Sequence, residues 1–165
     1  MALTQHEIVS QLDLQPHPEG GFFKEVYRSA EAIPAEALPA DFEGPRNYST
    51  SIYFMLTAQS FSAFHRIRQD EIWHFYLGQP IELHWLTPDG EHHEVRVGSN
   101  LSQGEALQVV VPAGAWFAAR VLQDFALVGC TVAPGFDFAD FELAHRDKLI
   151  EEFPQHKDLI ERFTR

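Results

Sequence analysis

The residues best suited to chemistry are a histidine and a glutamate on either side of a short polar corner. His65 lies late in one β-type run and Glu71 opens the next, with Gln69 and Asp70 between them. A hairpin-like turn at this corner would bring the imidazole and the carboxylate together at one end of a sheet. Such a pocket can serve as a metal site, an acid–base pair or a polar anchor for a ligand.

Strand periodicity predicts what shares the pocket with this pair. Side chains two residues apart point the same way, so Glu71 and Trp73 would face inward together. They would then share the interior with His65. Two protein ligands are fewer than the three or four that transition metals usually take. No cofactor is therefore firmly predicted. A divalent transition metal is the alternative, with His74 joining His65 and Glu71 through a bulge. Gln108 is a weak third donor.

Without a metal, the pair is expected to act as an acid–base unit. The carboxylate of Glu71 would orient the ring of His65 and raise its pKa, which suits a general base. Tyr53 would act as the opposing acid, with Tyr48 as the other candidate. This arrangement matches epimerase-like chemistry, in which a proton leaves one face of the substrate and returns to the other. The alternative is that His65 is a structural histidine with satisfied hydrogen bonds.

Further side chains are expected to bind the ligand. Arg68 alternates against His65, but a kink at the strand end would let it reach an anionic ligand. Otherwise Arg68 is solvated or paired with nearby carboxylates. Trp73 could stack on a sugar or a base, or pack in the core. The predicted lining is completed by Tyr48, Phe117 and Gln108.

Hydrophobic patterning predicts an all-β fold with short terminal helices. Short strands separated by turn residues are typical of antiparallel sandwiches and barrels. The predicted strands are Phe22–Ser29, Tyr48–Leu56, Phe61–Arg68, Glu71–Leu77, Ile81–Leu86, Glu94–Val97, Leu107–Val111, Trp116–Leu122 and Phe125–Val132. Helices are predicted over 4–13, 142–153 and 157–163, the first with a Thr4–Glu7 capping box. The segment 30–45 is predicted as a loop with one helical turn, serving as a lid or an oligomer contact.

Length, charge and cysteine content limit the classes of function. A chain of 165 residues fits one domain, 1–165, with a substantial core. The formal net charge of −12 makes nucleic acid and anionic membrane surfaces poor partners. The single cysteine, Cys130, excludes an internal disulfide and is expected to be buried. Without a signal-peptide pattern or a membrane-spanning apolar stretch, we expect a cytoplasmic protein.

Two further segments carry chemistry-bearing residues outside this pair. In His-Pro-Glu-Gly-Gly, residues 17–21, proline and glycine set a tight backbone shape, and Glu19 could cap or close the mouth of a barrel. We expect this segment to be mainly architectural. The pair His92-His93, beside the Asp89-Gly90 turn, is the surface site expected to capture a stray metal ion.

The spacing of His65, Glu71 and Gly78 resembles the first motif of the cupin superfamily of small β-barrels. Two metal-ligand positions of that superfamily are occupied here by apolar residues, Ile67 in the first motif and Phe117 in the second. The resemblance implies a double-stranded β-helix, or jelly-roll barrel, whose interior keeps only two of the four usual ligands.

Longer blocks are similar to one family within the superfamily, the cupin-5 family. They are His17–Phe22, His65-Arg66, Asp70–Gly78, Val111–Trp116 and Val132–Phe138. This family has no assigned reaction, and its barrels are usually dimeric and similar in shape to metal-free nucleotide-sugar epimerases. The resemblance therefore implies a homodimer that binds a small polar or anionic metabolite.

The leading hypothesis for function is isomerase- or epimerase-like chemistry on a sugar or nucleotide sugar. One alternative is a metal-dependent dioxygenase or isomerase that uses His65 and Glu71. The other is a ligand-binding module without catalysis.

Overall fold

The computed structural model describes residues 3–165, which fold into strands with a few short helices. In chain order the elements are α1 (Gln5–Leu12), β1 (Gln15–Pro16), β2 (Phe22–Arg28), β3 (Ala32–Ile33), β4 (Arg46–Asn47), β5 (Thr50–Thr57), β6 (Phe61–Arg66), β7 (Asp70–Gly78), β8 (Ile81–Leu86), β9 (His92–Val97), β10 (Gln108–Val111), β11 (Trp116–Val121), β12 (Phe125–Ala133), β13 (Glu142–Leu143), α2 (Arg146–Glu152) and α3 (Lys157–Arg162). Short 3₁₀ turns occupy Ala35–Ala37, Leu101–Gln103, Phe138–Asp140 and Pro154–His156.

Two antiparallel sheets form the barrel. The six-stranded sheet has the order β1-β2-β5-β12-β7-β10, and the five-stranded sheet has the order β13-β6-β11-β8-β9. Strands distant in sequence, such as β5 and β12, are neighbours, as expected for a jelly roll. The predicted all-β fold, a double-stranded β-helix with short terminal helices, is confirmed.

Alternation along the strands sorts side chains between the interior and the outer layers. On β5, Phe54 and Leu56 belong to the core between the sheets, whereas Met55 packs beneath α1. On β6, Phe64 packs against the C-terminal helices, which turns His65 toward the interior. The alternation that fills the core therefore also positions the predicted histidine.

The C-terminal helices cover the outer face of the five-stranded sheet. Leu149 of α2 and Ile160 of α3 are buried with Phe64 and Leu86 of the sheet in a second apolar cluster. Burying a side chain of this size contributes about 1.5–3 kcal/mol. Helices this short are held by such packing rather than by their own hydrogen bonds. Within residues 3–165, no helix has the length and apolar character needed to cross a bilayer.

The helix predicted over 142–153 begins later than expected, at Arg146. Glu142 and Leu143 instead form β13, which pairs with the edge of β6. The Arg66 guanidinium reinforces this pairing, with its Nη2 2.8 Å from Oε2 of Glu142. Every other predicted strand and helix is found with ends within two residues of those expected. The strands β1, β3 and β4 were not predicted, because two residues are too few to show a period.

The segment predicted as a loop over 30–45 is closed by the β3–β4 ribbon and by a buried ion pair. Arg46 donates to both carboxylate oxygens of Asp140, at 2.8 Å from Nε and 2.7 Å from Nη2. Both side chains are at most 3% exposed. Gln69 donates to the same carboxylate at 2.8 Å. This network anchors the end of the loop to the segment that follows β12.

Replacing Arg46 by alanine is expected to lower the free energy of unfolding by about 3–5 kcal/mol, because the Asp140 carboxylate would stay buried without its counter-charge. Urea denaturation followed by tryptophan fluorescence measures the loss. The control is Lys24→Ala, which breaks the exposed Lys24–Asp13 pair and should cost at most about 1 kcal/mol. Equal losses in the two variants would contradict the anchoring role.

Candidate functional site

An interior cavity of about 280 Å³ lies between β2, β5, β6, β7 and β12. The segment after β12 closes one side of it. The apolar wall consists of Phe23, Ile52, Ile67, Val132, Phe136, Phe138 and Phe141. The polar wall consists of His17, Glu19, Glu25, Arg28, Thr50, His65, Glu71, Cys130 and Asp137. The predicted histidine and glutamate thus face one cavity.

A buried ion pair between His65 and Glu19 forms part of this wall. Nε2 of His65 lies 2.7 Å from Oε2 of Glu19, and Nδ1 lies 2.7 Å from the carbonyl oxygen of Ala63. Because both partners are acceptors, both ring nitrogens donate, and the ring is an imidazolium. Burial lowers the pKa of His65, but the charge and hydrogen bond of Glu19 outweigh it, so the pKa is raised. Burial raises the pKa of Glu19, but the charge and hydrogen bond of His65 outweigh it, so that pKa is lowered.

The turn at residues 17–21 places Glu19 at the cavity. Gly20 and Gly21 have φ angles of 114° and 78°, which residues with a Cβ rarely adopt. A Cβ on Gly20 would also overlap the carbonyl oxygen of Phe61. The Ala63 N–H donates to the carbonyl oxygen of Glu19 at 2.8 Å, which fastens the turn to β6. The segment expected to be mainly architectural therefore also delivers a charged side chain to the site.

The geometry corrects the expectation that Glu71 orients His65. The carboxylate bonded to His65 is that of Glu19, which was expected to cap or close the mouth of the barrel. It also corrects the expectation that His65 is a general base. Neither ring nitrogen keeps a lone pair to accept a substrate proton while both donate.

Glu71 faces the cavity with only 9% of its surface exposed. The Cys130 thiol and the Trp73 indole N–H lie near its carboxyl group, and both favour the charged carboxylate. Burial raises the pKa of Glu71 to about 7, although the positive charge of His65 opposes the rise and the charge of Glu19 adds to it. Both protonation states of the carboxyl group are therefore accessible near neutral pH, which suits a general acid or base.

Two other titratable groups of the cavity, Cys130 and His17, stay uncharged. Burial raises the pKa of the Cys130 thiol well above its ordinary value, so the cysteine stays a thiol, buried as predicted. Burial also lowers the pKa of His17, more than the nearby charge of Glu19 raises it. Nδ1 of His17 accepts from the Glu19 N–H at 3.2 Å, which leaves the proton of the neutral ring on Nε2.

Aromatic rings hold the imidazolium in place. The ring centroids of Phe117 and Phe141 lie 4.0 and 5.5 Å from that of His65, and aromatic faces attract cations. Phe117 thus supports His65 from the core. It was expected to line the cavity, but it does not. Trp73 is 1% exposed and packs edge-on to Phe54 at 5.7 Å. The core alternative for Trp73 therefore fits its position.

Several residues predicted to act in the site lie outside the cavity. Tyr53 faces the outer surface beside α1, and Tyr48 is 50% exposed. Gln108 is exposed on β10, opposite His74 on β7. Nε2 of His74 bonds the hydroxyl of Thr131 at 3.0 Å on the outer face of the sheet. Tyr53 and His74 point outward because of strand parity, since each is adjacent to an inward-facing residue.

Arg68 lies in a separate cleft. Its Nη1 is 3.5 Å from Asp41, and its Nε is 3.5 Å from Asp140. The strand ends before Arg68, as expected for a kink, but the side chain turns toward these carboxylates rather than into the cavity. Arg68 is therefore paired with nearby carboxylates, which was the alternative to ligand binding.

The donor atoms of the cavity do not fit a transition-metal ion. Both nitrogens of His65 are engaged, Ile67 and Phe117 are apolar, and His74 lies outside. Such an ion takes three or four protein ligands. Within residues 3–165, the ligand atoms of the cavity residues form no group of three close enough for one ion. The alternative site of His65, Glu71 and His74 does not fit this geometry.

A jelly-roll barrel with an inward histidine and glutamate on successive strands defines a cupin-type protein. The family model described as "Cupin superfamily (DUF985)", the Cupin_5 family, matches residues 6–144. The chain therefore belongs to this family, and the resemblance predicted from its motifs is confirmed.

Known proteins support the same assignment. A hypothetical protein from Leishmania major shares 35% identity and a TM-score of 0.90, covering 98% of this chain and 99% of that one. Protein SO0799 from Shewanella oneidensis shares 38% identity and a TM-score of 0.89, covering 99% of both chains. Uncharacterized protein YML079W of Saccharomyces cerevisiae is 33% identical over 145 residues, which cover 81% of this chain and 72% of the yeast protein.

A more distant structural likeness concerns the fold alone. Oxalate decarboxylase from Bacillus subtilis has a TM-score of 0.57 at 14% identity, covering 92% of this chain and 37% of that enzyme. These comparisons identify a cupin-fold domain and leave its activity open.

Replacing Glu71 by glutamine is expected to stabilise the protein above neutral pH. The ordinary pKa of the side chain is 4.5 and the folded value is about 7, so the folded state binds more protons between these values. Stability therefore falls as pH rises through this window, by about 3 kcal/mol in total. Thermal unfolding at pH 4 and pH 8 should show the variant more stable than wild type at pH 8 only.

The matched control for that experiment is Glu151→Gln on the exposed face of α2. It removes one exposed carboxylate and leaves the cavity unchanged, so its effect on stability should be small at both pH values. A Glu71→Gln variant less stable than wild type at pH 8 would contradict the raised pKa.

Proposed function

We propose that this protein binds a small, uncharged polar metabolite in its cavity and transfers a proton on it, as isomerases do. The observation that carries the proposal is geometric. A buried carboxyl group, that of Glu71, faces the cavity. A charged pair, His65 with Glu19, lies in the same wall.

Glu71 would take and return the proton. As a carboxylate it would remove a proton from a carbon next to a carbonyl group, leaving an enolate. The hydroxyl proton on that carbon would pass to the enolate oxygen within the substrate, and the resulting acid would then protonate the former carbonyl carbon. This leaves the isomeric carbonyl compound and restores the carboxylate. The positive charge of His65 would stabilise the negative oxygen of the intermediate in a site of low dielectric constant. The pKa of Glu71, raised by burial to about 7, suits both halves of this cycle.

The geometry favours isomerisation over epimerisation. An epimerase needs an acid on the face of the substrate opposite the base. Tyr53, the predicted acid, lies on the outer surface. A single carboxyl group returns the proton to the face from which it was taken.

The charges around the cavity favour an uncharged ligand over the anionic one considered from the sequence. Nη2 of Arg28 is 2.6 Å from Oε1 of Glu25, so its charge is compensated. The charge of His65 is compensated by Glu19. Asp137 adds a further negative charge to the lining. An anion would meet no uncompensated cation among the described cavity residues.

The volume limits the size of the ligand. Pockets for drug-sized ligands are about 300–1,000 Å³, and this cavity is about 280 Å³. A monosaccharide-sized molecule fits that volume better than the nucleotide sugar suggested by the resemblance. Aldoses and ketoses carry the carbonyl and hydroxyl groups that the proposed proton transfer needs.

The test is hydrogen exchange in D₂O on a set of neutral aldoses and ketoses. Wild-type protein is expected to introduce deuterium next to the carbonyl carbon of at least one sugar, as measured by proton NMR. Glu71→Gln is expected to reduce the exchange rate at least about 100-fold, since general acid–base groups contribute about 10²–10⁴-fold.

The control variant is Tyr53→Phe, which changes a residue outside the cavity and should leave the rate unchanged. Binding of a sugar without exchange in the wild type would identify a ligand-binding module and overturn the catalytic part of the proposal. Equal loss of exchange in Tyr53→Phe would overturn the assignment of Glu71.

We also propose the homodimer that the family resemblance implies. Sedimentation velocity at micromolar concentration should give a mass of about twice that of the chain, which is 18.8 kDa. A monomer under these conditions would contradict it. The cytoplasmic location stays a prediction.

A further inference from the structure

A second cluster of metal-ligating side chains lies on the face of the five-stranded sheet that the C-terminal helices cover. His84 lies on β8 directly opposite Glu94 of β9, and His92 lies two residues before Glu94 on the same face. The ring centroid of His84 is 5.1 Å from that of Phe163, beside α3. The cluster is thus separated from the cavity by the sheet.

The distances within the cluster suit one ion. Nδ1 of His84 is 3.1 Å from Nε2 of His92 and 3.9 Å from Oε2 of Glu94. All three ligand atoms lie within 4.8 Å of one another. Ligands about 2.0–2.1 Å from a tetrahedral Zn²⁺ are about 3.3 Å apart. Small rotations of the two β9 side chains would reach that geometry.

The surroundings of His84 give it no other polar role. The side chain is 4% exposed, and its Nε2 has no hydrogen-bond partner in the described part of the chain. Its polar neighbours at Nδ1 are His92 and Glu94. The nitrogen that faces His92 and Glu94 is Nδ1, so an ion bound there would lie on the polar side of this ring.

The cluster is also open to solvent on one side. Glu94 is 51% exposed, and a cleft beside α3 gives an ion a route of entry. His156 lines the same cleft, with its ring 5.7 Å from that of His92. Nε2 of His156 already bonds the carbonyl oxygen of Gly90 at 2.8 Å, so a water molecule would complete four-coordination.

We propose that His84, His92 and Glu94 bind a divalent transition-metal ion of the Zn²⁺ type. Two imidazoles and one carboxylate form a donor set that suits zinc, cobalt, nickel or copper better than magnesium or calcium. The site connects the β8–β9 hairpin to the edge of the helical layer. It shares no residue with the proposed proton-transfer site.

This arrangement corrects the expectation that His92 and His93 act together. His93 points to the other face of β9, where its ring stacks on Trp85 with centroids 5.1 Å apart. Successive residues on a strand cannot ligate one ion from the same side. His93 is therefore a matched control for His92.

The experiment is a calorimetric titration of ZnCl₂ into full-length, untagged protein freed of metal with a chelator. Wild type is expected to bind about one Zn²⁺ in this site. His92→Ala and Glu94→Gln should each raise the Kd at least about tenfold, whereas His93→Ala should leave it unchanged. Circular dichroism without metal checks that each variant is folded. Visible d–d bands of bound Co²⁺ report whether the site is four-coordinate.

Two results would overturn the proposal. One is an unchanged Kd in folded His92→Ala and Glu94→Gln variants. The other is loss of binding in Glu71→Gln with retention in His92→Ala, which would place the ion in the cavity. Neither result depends on whether the cavity is catalytic.

Discussion

The structure of the site depends on the buried ion pair between Glu19 and His65. Two charges removed from water are tolerated only when each compensates the other and the remaining hydrogen-bonding capacity is used. Here the carbonyl oxygen of Ala63 takes the second proton of the ring. The pair joins the N-terminal turn to β6 at the cavity wall. Removing either partner would leave an isolated buried charge, which is why the position of the turn and the state of His65 are coupled.

This pair determines what Glu71 can do. Since Glu19 already compensates the imidazolium, His65 lowers the pKa of Glu71 only in part, and burial keeps it near 7. A carboxyl group in that condition destabilises the fold above its ordinary pKa, in contrast to the Arg46–Asp140 pair, where the guanidinium bonds both oxygens. Such an unfavourable group is more common at functional sites than elsewhere.

Local patterns predicted the fold and part of the site. Alternation and turn residues located the long strands, and strand parity brought His65 and Glu71 to one cavity. The same parity rule excludes Tyr53 from the cavity, because its neighbour Phe54 faces the core. The prediction that Tyr53 acts in the site did not apply this rule. Glu19 could not be assigned to His65 from spacing, since that contact joins a turn to a distant strand. The one available signal was an acidic residue held between a proline and two glycines.

Parity also explains how one small barrel can carry two unrelated polar sites. On β8, Leu83 and Trp85 face the core while His84 faces the helices. On β9, His92 joins His84 and His93 turns away. The five-stranded sheet lies between the two sites, so their polar groups contact neighbours on opposite faces. The chemistry of the cavity therefore depends on Glu19 and Glu71, and the outer cluster can bind or release an ion without changing it.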